Sequence, residues 1–147
     1  VYRNTQAVFL GAKLRQAGES YDFFIPGDYG VRFVANSVIT SKKMIETRQE
    51  TVRKFTVALL QGWQASMNVA NSDKAIKTLQ KYDKDSTLET LQEQLDITRG
   101  LINPDPNVPI GMIDIKAWKQ TEQIMLAQKL IPTPVAVEKV LRPIPKY

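Results

Sequence analysis

Three places in this sequence bring together residue types able to hold a small polar molecule. Asn4, Thr5 and Gln6 follow Val1-Tyr2-Arg3, a short β-prone run that reads as the tail of a strand. In α/β proteins, ligands collect beyond the carboxyl ends of strands, where helix N-termini present unpaired amides. Asn and Gln carry donors and acceptors together, which suits an uncharged polar ligand or a single carboxylate or sulfonate. Asn4 and Thr5 serve first as helix caps and second as ligand contacts, while Gln6 fits either role equally. The second place is Pro26-Gly27-Asp28-Tyr29-Gly30. Its glycines let backbone approach closely, and Tyr29 supplies an aromatic face with a polar tip. A tight turn with Tyr29 lying on the core accounts for the same residues. The third is Asn36, inside an apolar β-branched run, where a buried amide needs a partner in a ligand or in neighbouring backbone. Asn4, Gln6, Tyr29 and Asn36 are therefore the candidate ligand-binding set.

Chemistry beyond binding is narrowly bounded. The 147 residues include no histidine and no cysteine. Imidazole bases, thiolate nucleophiles, disulfides and Cys-ligated metal centres are thereby excluded. An enzyme would have to work with carboxylates, Lys, Tyr or a borrowed cofactor. No glycine-rich phosphate loop, nucleophile elbow or zinc-helix motif occurs. Asp83, Asp85 and Asp105 are too few and too scattered for a divalent cation site, so neither metal nor cofactor is expected. Lys and Arg number 20 against 15 Asp and Glu, for a net charge of +5. In successive stretches 1–50, 51–100 and 101–147 the basic residues number 7, 7 and 6, and the acidic 5, 6 and 4. So even a spread describes a solvated surface better than a nucleic-acid face.

The elements that must position these residues change character along the chain. Residues 6–17 carry Val8, Phe9, Ala12 and Leu14 at helical spacing, with Gly18 as a stop. Residues 21–25 and 31–40 are rich in aromatic and β-branched side chains and read as strands, the second being the clearest in the sequence. Beyond residue 40 the pattern is helical. Thr47 with Glu50, and Ser86 with Glu89, have the spacing of capping boxes. Val52, Phe55, Leu59 and Trp63 form a core-facing stripe, and Ser72 opens a helix inwardly lined by Ala75, Ile76 and Leu79. Leu88, Leu91, Leu95 and Ile97 line the next helix; Asp114 caps another that carries Trp118, and Pro134 begins a last short one. The tryptophans are placed for packing rather than for stacking on a ligand. A strand–helix–strand front followed by helices predicts an α/β layer, with too few strands for so much amphipathic helix. No window approaches the ~18 apolar residues of a membrane span, and the chain opens without the basic and apolar regions of a signal peptide.

An ordered set of motifs resembles the NMT1/THI5-like family of extracytoplasmic solute-binding proteins of ABC importers. Asp28-Tyr29-Gly30-Val31 and Val38-Ile39-Thr40-Ser41 are followed by Glu50, Val52-Arg53-Lys54-Phe55, Ala58 and Gly62-Trp63. Residues 71–82, then Gly111-Met112-Ile113-Asp114 with Ala117-Trp118, and finally Gln128-Lys129-Leu130-Ile131 continue the pattern in order. The resemblance implies an α/β fold of the type II periplasmic-binding-protein kind, two lobes closing on a ligand, with this chain as the C-terminal half. Residues 1–30 would end the second lobe, 31–40 would be a crossover strand, and 41–147 would be helices returning to the first lobe.

The resemblance also implies a non-enzymatic role outside the cytoplasm, periplasmic or extracellular and membrane-associated, with a membrane permease as partner. The implied ligand is a thiamine-precursor pyrimidine first and a sulfonate second. Two departures bear on this. Asn4-Thr5-Gln6-Ala7-Val8 has Gln6 where the family often places Glu, which weakens the case for a cationic ligand, and a family synthase is excluded by the missing His and Cys. A ligand-sensing effector or interaction module of a regulator is the alternative from another class; carboxylate catalysis through Asp28 is a third. A chain with exposed strand edges is further expected to pair into a homodimer.

Overall fold

In the computed structural model, which describes residues 1–34 and 36–143, the chain follows the helical half of these expectations and departs from the rest. Seven α-helices occur among the described residues: α1 Gln6–Gln16, α2 Lys42–Thr47, α3 Gln49–Met67, α4 Ser72–Leu79, α5 Leu88–Ile102, α6 Ile115–Ala127 and α7 Val137–Val140. No strand occurs among them, so the α/β fold of the type II binding-protein kind is not what the chain adopts. The physical reason is pairing. Aromatic and β-branched residues favour extended backbone, but a strand exists only where a neighbour completes the ladder. Residues 21–25, 31–34 and 36–40 form no ladder. Ala35, within the strand reading of 31–40, lies outside the described residues.

The chain divides into two units, one of Val1–Asp22 with Ala58–Ile110, the other of Phe23–Val57 with Gly111–Tyr147. The division falls within α3. In the first unit α5 packs with both α1 and α4. Its core is a cluster of Ile76, Leu91 and Leu95, with Ala75 beside it. Leu91 and Leu95 stand one turn apart, so their side chains stack on one face of α5. Ala7, Val8 and Gly11 are the buried residues of α1. A Cβ on Gly11 would lie 2.3 Å from the Tyr21 hydroxyl, so glycine here lets that ring lie against the helix. Gly18 ends α1 in the left-handed conformation expected of it.

One guanidinium ties three helices of this unit. Arg99 on α5 donates from Nε to the Ser66 carbonyl (2.7 Å), from Nη2 to Ser72 Oγ (2.9 Å) and from Nη1 to Asp96 (2.8 Å). Only 11% of its side chain is exposed. Ser66 belongs to the last turn of α3, whose carbonyls have no partner within the helix. Asn71 takes a second of these, donating to the Ala65 carbonyl at 2.9 Å.

In the second unit α6 packs with α7, and it organises the extended segments through its polar side chains. Gln120 accepts from the Arg32 amide at 2.7 Å and donates to the Gly30 carbonyl at 3.3 Å. Thr121 accepts from the Val34 amide at 2.8 Å while its own hydroxyl donates to the Ala117 carbonyl. Glu122 accepts from the amides of Val135 and Ala136. Amides 32 and 34 lie on the same edge of an extended chain, so helix side chains occupy the place of a neighbouring strand.

Several local expectations need correcting. Thr47 lies in the last turn of α2 and donates to the Lys43 carbonyl, Arg48 stands between it and α3, and Glu50 accepts from Arg53 (2.8 Å twice). The cap of α5 is Thr87, accepting from the Thr90 amide, one residue after Ser86. Asp114 caps α6 as its position predicts. The stripe on α3 is turned: Leu60 is buried, Trp63 half-buried and Phe55 59% exposed.

Two outcomes follow. Leu91→Ala should destabilise the first unit by about 2–5 kcal/mol in denaturant unfolding, through lost burial and a residual cavity. Leu88→Ala, at a 54% exposed position on the same helix, should change it by no more than about 0.5 kcal/mol. Equal losses would refute this core. Separately, the Arg53 guanidinium, with Lys54 behind it, holds the Glu50 carboxyl at about 2 rather than the ordinary 4.5. A depressed carboxylate contributes stability above its ordinary value and loses it as pH falls through the depressed one. An NMR titration of Glu50 should therefore show a midpoint well below 4.5, and Arg53→Ala should move it upward.

Candidate functional site

The residues around Tyr29 make the best-defined site in the second unit. Ile25 is extended, Pro26 then presets φ, and residues Pro26–Tyr29 form one 3-10 turn. Gly30 closes it at φ +77°, in the left-handed region that glycine enters without steric cost. The Gly30 amide donates to the Gly27 carbonyl and the Val31 amide to the Pro26 carbonyl, completing the reversal. This brings the rings of Phe24 and Tyr29 into a stack, with centroids 4.7 Å apart and planes 18° from parallel. Both remain open to solvent, at 75% and 69% exposure. Tyr29 is thus neither a lid on the core nor isolated. Gln120 holds the carbonyl of Gly30 and the amide of Arg32, so the end of the turn is anchored to α6.

A parallel aromatic pair with open faces offers stacking and apolar contact to a flat ring, with the Tyr29 hydroxyl as a polar handle. It offers no nucleophile or paired acid and base. Asp83 accepts from the Ser86 hydroxyl and from the amides of Ser86 and Asp85, and these bonds hold its carboxyl below the usual range. Asp105 accepts from the Asn107 amide. Both carboxylates shape turns. Among the described residues no group of three or more acidic side chains converges as a metal site.

The other sequence candidates are placed differently. Asn4 and Gln6 belong to the first unit, Tyr29 and Asn36 to the second. Asn4 is half-buried and donates to Thr98 Oγ1 on α5 at 3.1 Å. Gln6 is exposed, and its side-chain oxygen accepts from the Tyr2 amide at 3.0 Å. Thr5 precedes α1 without a side-chain capping bond. The capping role expected of Asn4 and Thr5 is therefore taken by neither. Asn36 is exposed, which removes the buried amide that singled it out.

Phe24, Gln120 and Thr121 were not among the candidates. Phe24 stands in an apolar run indistinguishable from core. Gln120 and Thr121 are half-buried polar residues of α6, and nothing in their spacing names the segment they hold.

Residues 1–72 match the family model described as NMT1/THI5 like. The riboflavin-binding protein RibY of Chloroflexus aurantiacus (strain ATCC 29366 / DSM 635 / J-10-fl) is 27% identical over 134 residues. That alignment covers 86% of this chain and 37% of RibY, so the chain spans little more than a third of its relative's length. No solved structure matches. The matched stretch contains Phe24, Tyr29 and Gly30 together with α1 to α3. Residues 1–72, just under half of the chain, are thus similar to the NMT1/THI5-like family.

Proposed function

We propose that this chain is part of a solute-binding protein that takes a small flat-ringed molecule, and that it serves an ABC importer outside the cytoplasm. The observation that carries the reading is the solvent-open stack of Phe24 and Tyr29, set on a turn within the family-matched stretch. Tyr29 is the principal contact. Asn36 is a secondary one in the same unit; Asn4 and Gln6 are candidate contacts of the first unit taken by itself, where a ligand would compete for groups now bonded to Thr98 and the Tyr2 amide. Similarity to the NMT1/THI5-like family supports binding over catalysis, and a riboflavin-binding relative supports a tricyclic flavin ahead of a thiamine-precursor pyrimidine, with a sulfonate third. A membrane permease is the transport partner in this reading. No helix among the described residues is long and apolar enough to cross a membrane itself.

Riboflavin titrated with this chain should lose fluorescence on stacking, and the pyrimidine precursor and taurine should be measured beside it by calorimetry. Tyr29→Ala and Phe24→Ala should each weaken flavin binding by about 5- to 100-fold, the range expected for losing one stacking partner. Tyr82→Ala is the control, an 87% exposed tyrosine in the first unit. Equal affinity in the Tyr29 and Tyr82 variants, or no binding of any of the three compounds, would sink the proposal.

A further inference from the structure

The second unit contains a cleft that the aromatic pair does not use. It is an open groove of about 400 Å³ lined by Arg32, Lys116, Ala117, Lys119, Gln120 and Gln123. That volume lies within the range of small-molecule sites. Three lining side chains are cationic, two are amides, and none is a carboxylate. Lys119 spends its charge on Glu138 of α7, which raises the lysine's proton affinity. Arg32 and Lys116 make no ion pair among the described residues. The cleft therefore holds an uncompensated charge of two.

Its geometry is arranged in advance. Lys116, Lys119, Gln120 and Gln123 recur at three- and four-residue spacing, so they share a face of α6. Arg32 arrives from the extended segment, and its backbone is fixed to that helix by the 2.7 Å bond from its amide to Gln120. The backbone that carries Arg32 is thereby kept beside α6 without a cost of ordering the loop on binding. A guanidinium fork receives two oxygens of a tetrahedral anion, and a lysine adds a point charge. A carboxylate would answer one of the two free cations. A phosphate monoester, at about −1.5 to −2 near neutral pH, answers both.

We propose that the cleft formed by Arg32 and the Lys116–Lys119–Gln123 face of α6 binds the phosphate group of a small soluble phosphorylated molecule. The inference goes beyond ring binding at Tyr29 and stands without it.

The test is an NMR titration of the ¹⁵N-labelled chain with sodium pyrophosphate, against sodium chloride at matched ionic strength. Amide shifts should concentrate at residues 32, 116, 119, 120 and 123. Arg32→Gln and Lys116→Gln should each weaken binding about two- to fivefold, as expected for single solvent-accessible charge contacts. Lys43→Gln, on exposed α2, should leave it unchanged, with circular dichroism confirming that each variant remains helical. Tyr29→Ala should also leave it unchanged, so this inference and the flavin reading fail separately. Phenyl phosphate should displace pyrophosphate. Shifts reproduced by chloride, or equal weakening by Lys43→Gln, would overturn the site. Displacement by phosphatidylglycerol vesicles but not by phenyl phosphate would overturn the soluble ligand and place the phosphate on a lipid.

Discussion

An extended backbone with no neighbouring strand still carries amides that must find acceptors. That constraint shapes the second unit. Burying an amide unbonded costs roughly 1–3 kcal/mol, and leaving it to water forgoes any ordering of the segment. Here the acceptors come from successive residues of one helix. Gln120 and Thr121 take the amides of Arg32 and Val34, and Glu122 takes those of Val135 and Ala136. The turn bearing Tyr29 is held because its closing glycine is bonded to that same Gln120. In the first unit the roles reverse. There a side chain donates, as Arg99 supplies the hydrogens that the terminal carbonyl of α3 lacks.

Sequence was most informative where structure depends on neighbours along the chain. Gly18 ends α1 and Asp114 caps α6, both decided by residues within one turn. Leu91 and Leu95 are core residues as their spacing indicates. What failed was the strand pairing, which needs a distant partner, and one capping box. The β-branched content of 31–40 speaks of extended backbone but cannot say whether a strand or a helix will bond it. Thr47 and Glu50 have the spacing of a capping box, yet each has a competing local partner, the Lys43 carbonyl and Arg53, and these win.

The candidate site divides in the same way. Tyr29 could be found because glycine and proline mark a turn on their own account, and a tyrosine within it must face outward or inward. Asn36 was singled out by an assumed burial that the segment does not have. Asn4 and Gln6 were chosen for a strand end, and without a strand their amides settle on Thr98 and the Tyr2 backbone. The residues that brace the Tyr29 turn lie on α6, beyond the stretch matched by the family model. Recognition of the motif and recognition of its support thus draw on different parts of the chain.

Consecutive positions 120, 121 and 122 serve segments on either side of α6 in the sequence, and this makes the helix sensitive to its own phase. Each residue added or removed before Gln120 would turn everything after it by about 100° relative to the first turn. Both segments would then lose their acceptors together, although no residue in either had changed. Point substitutions on α6 can be absorbed one bond at a time. The interval of six residues between Asp114, where the helix is capped, and Gln120 leaves far less freedom, and its length is under stricter constraint than its composition.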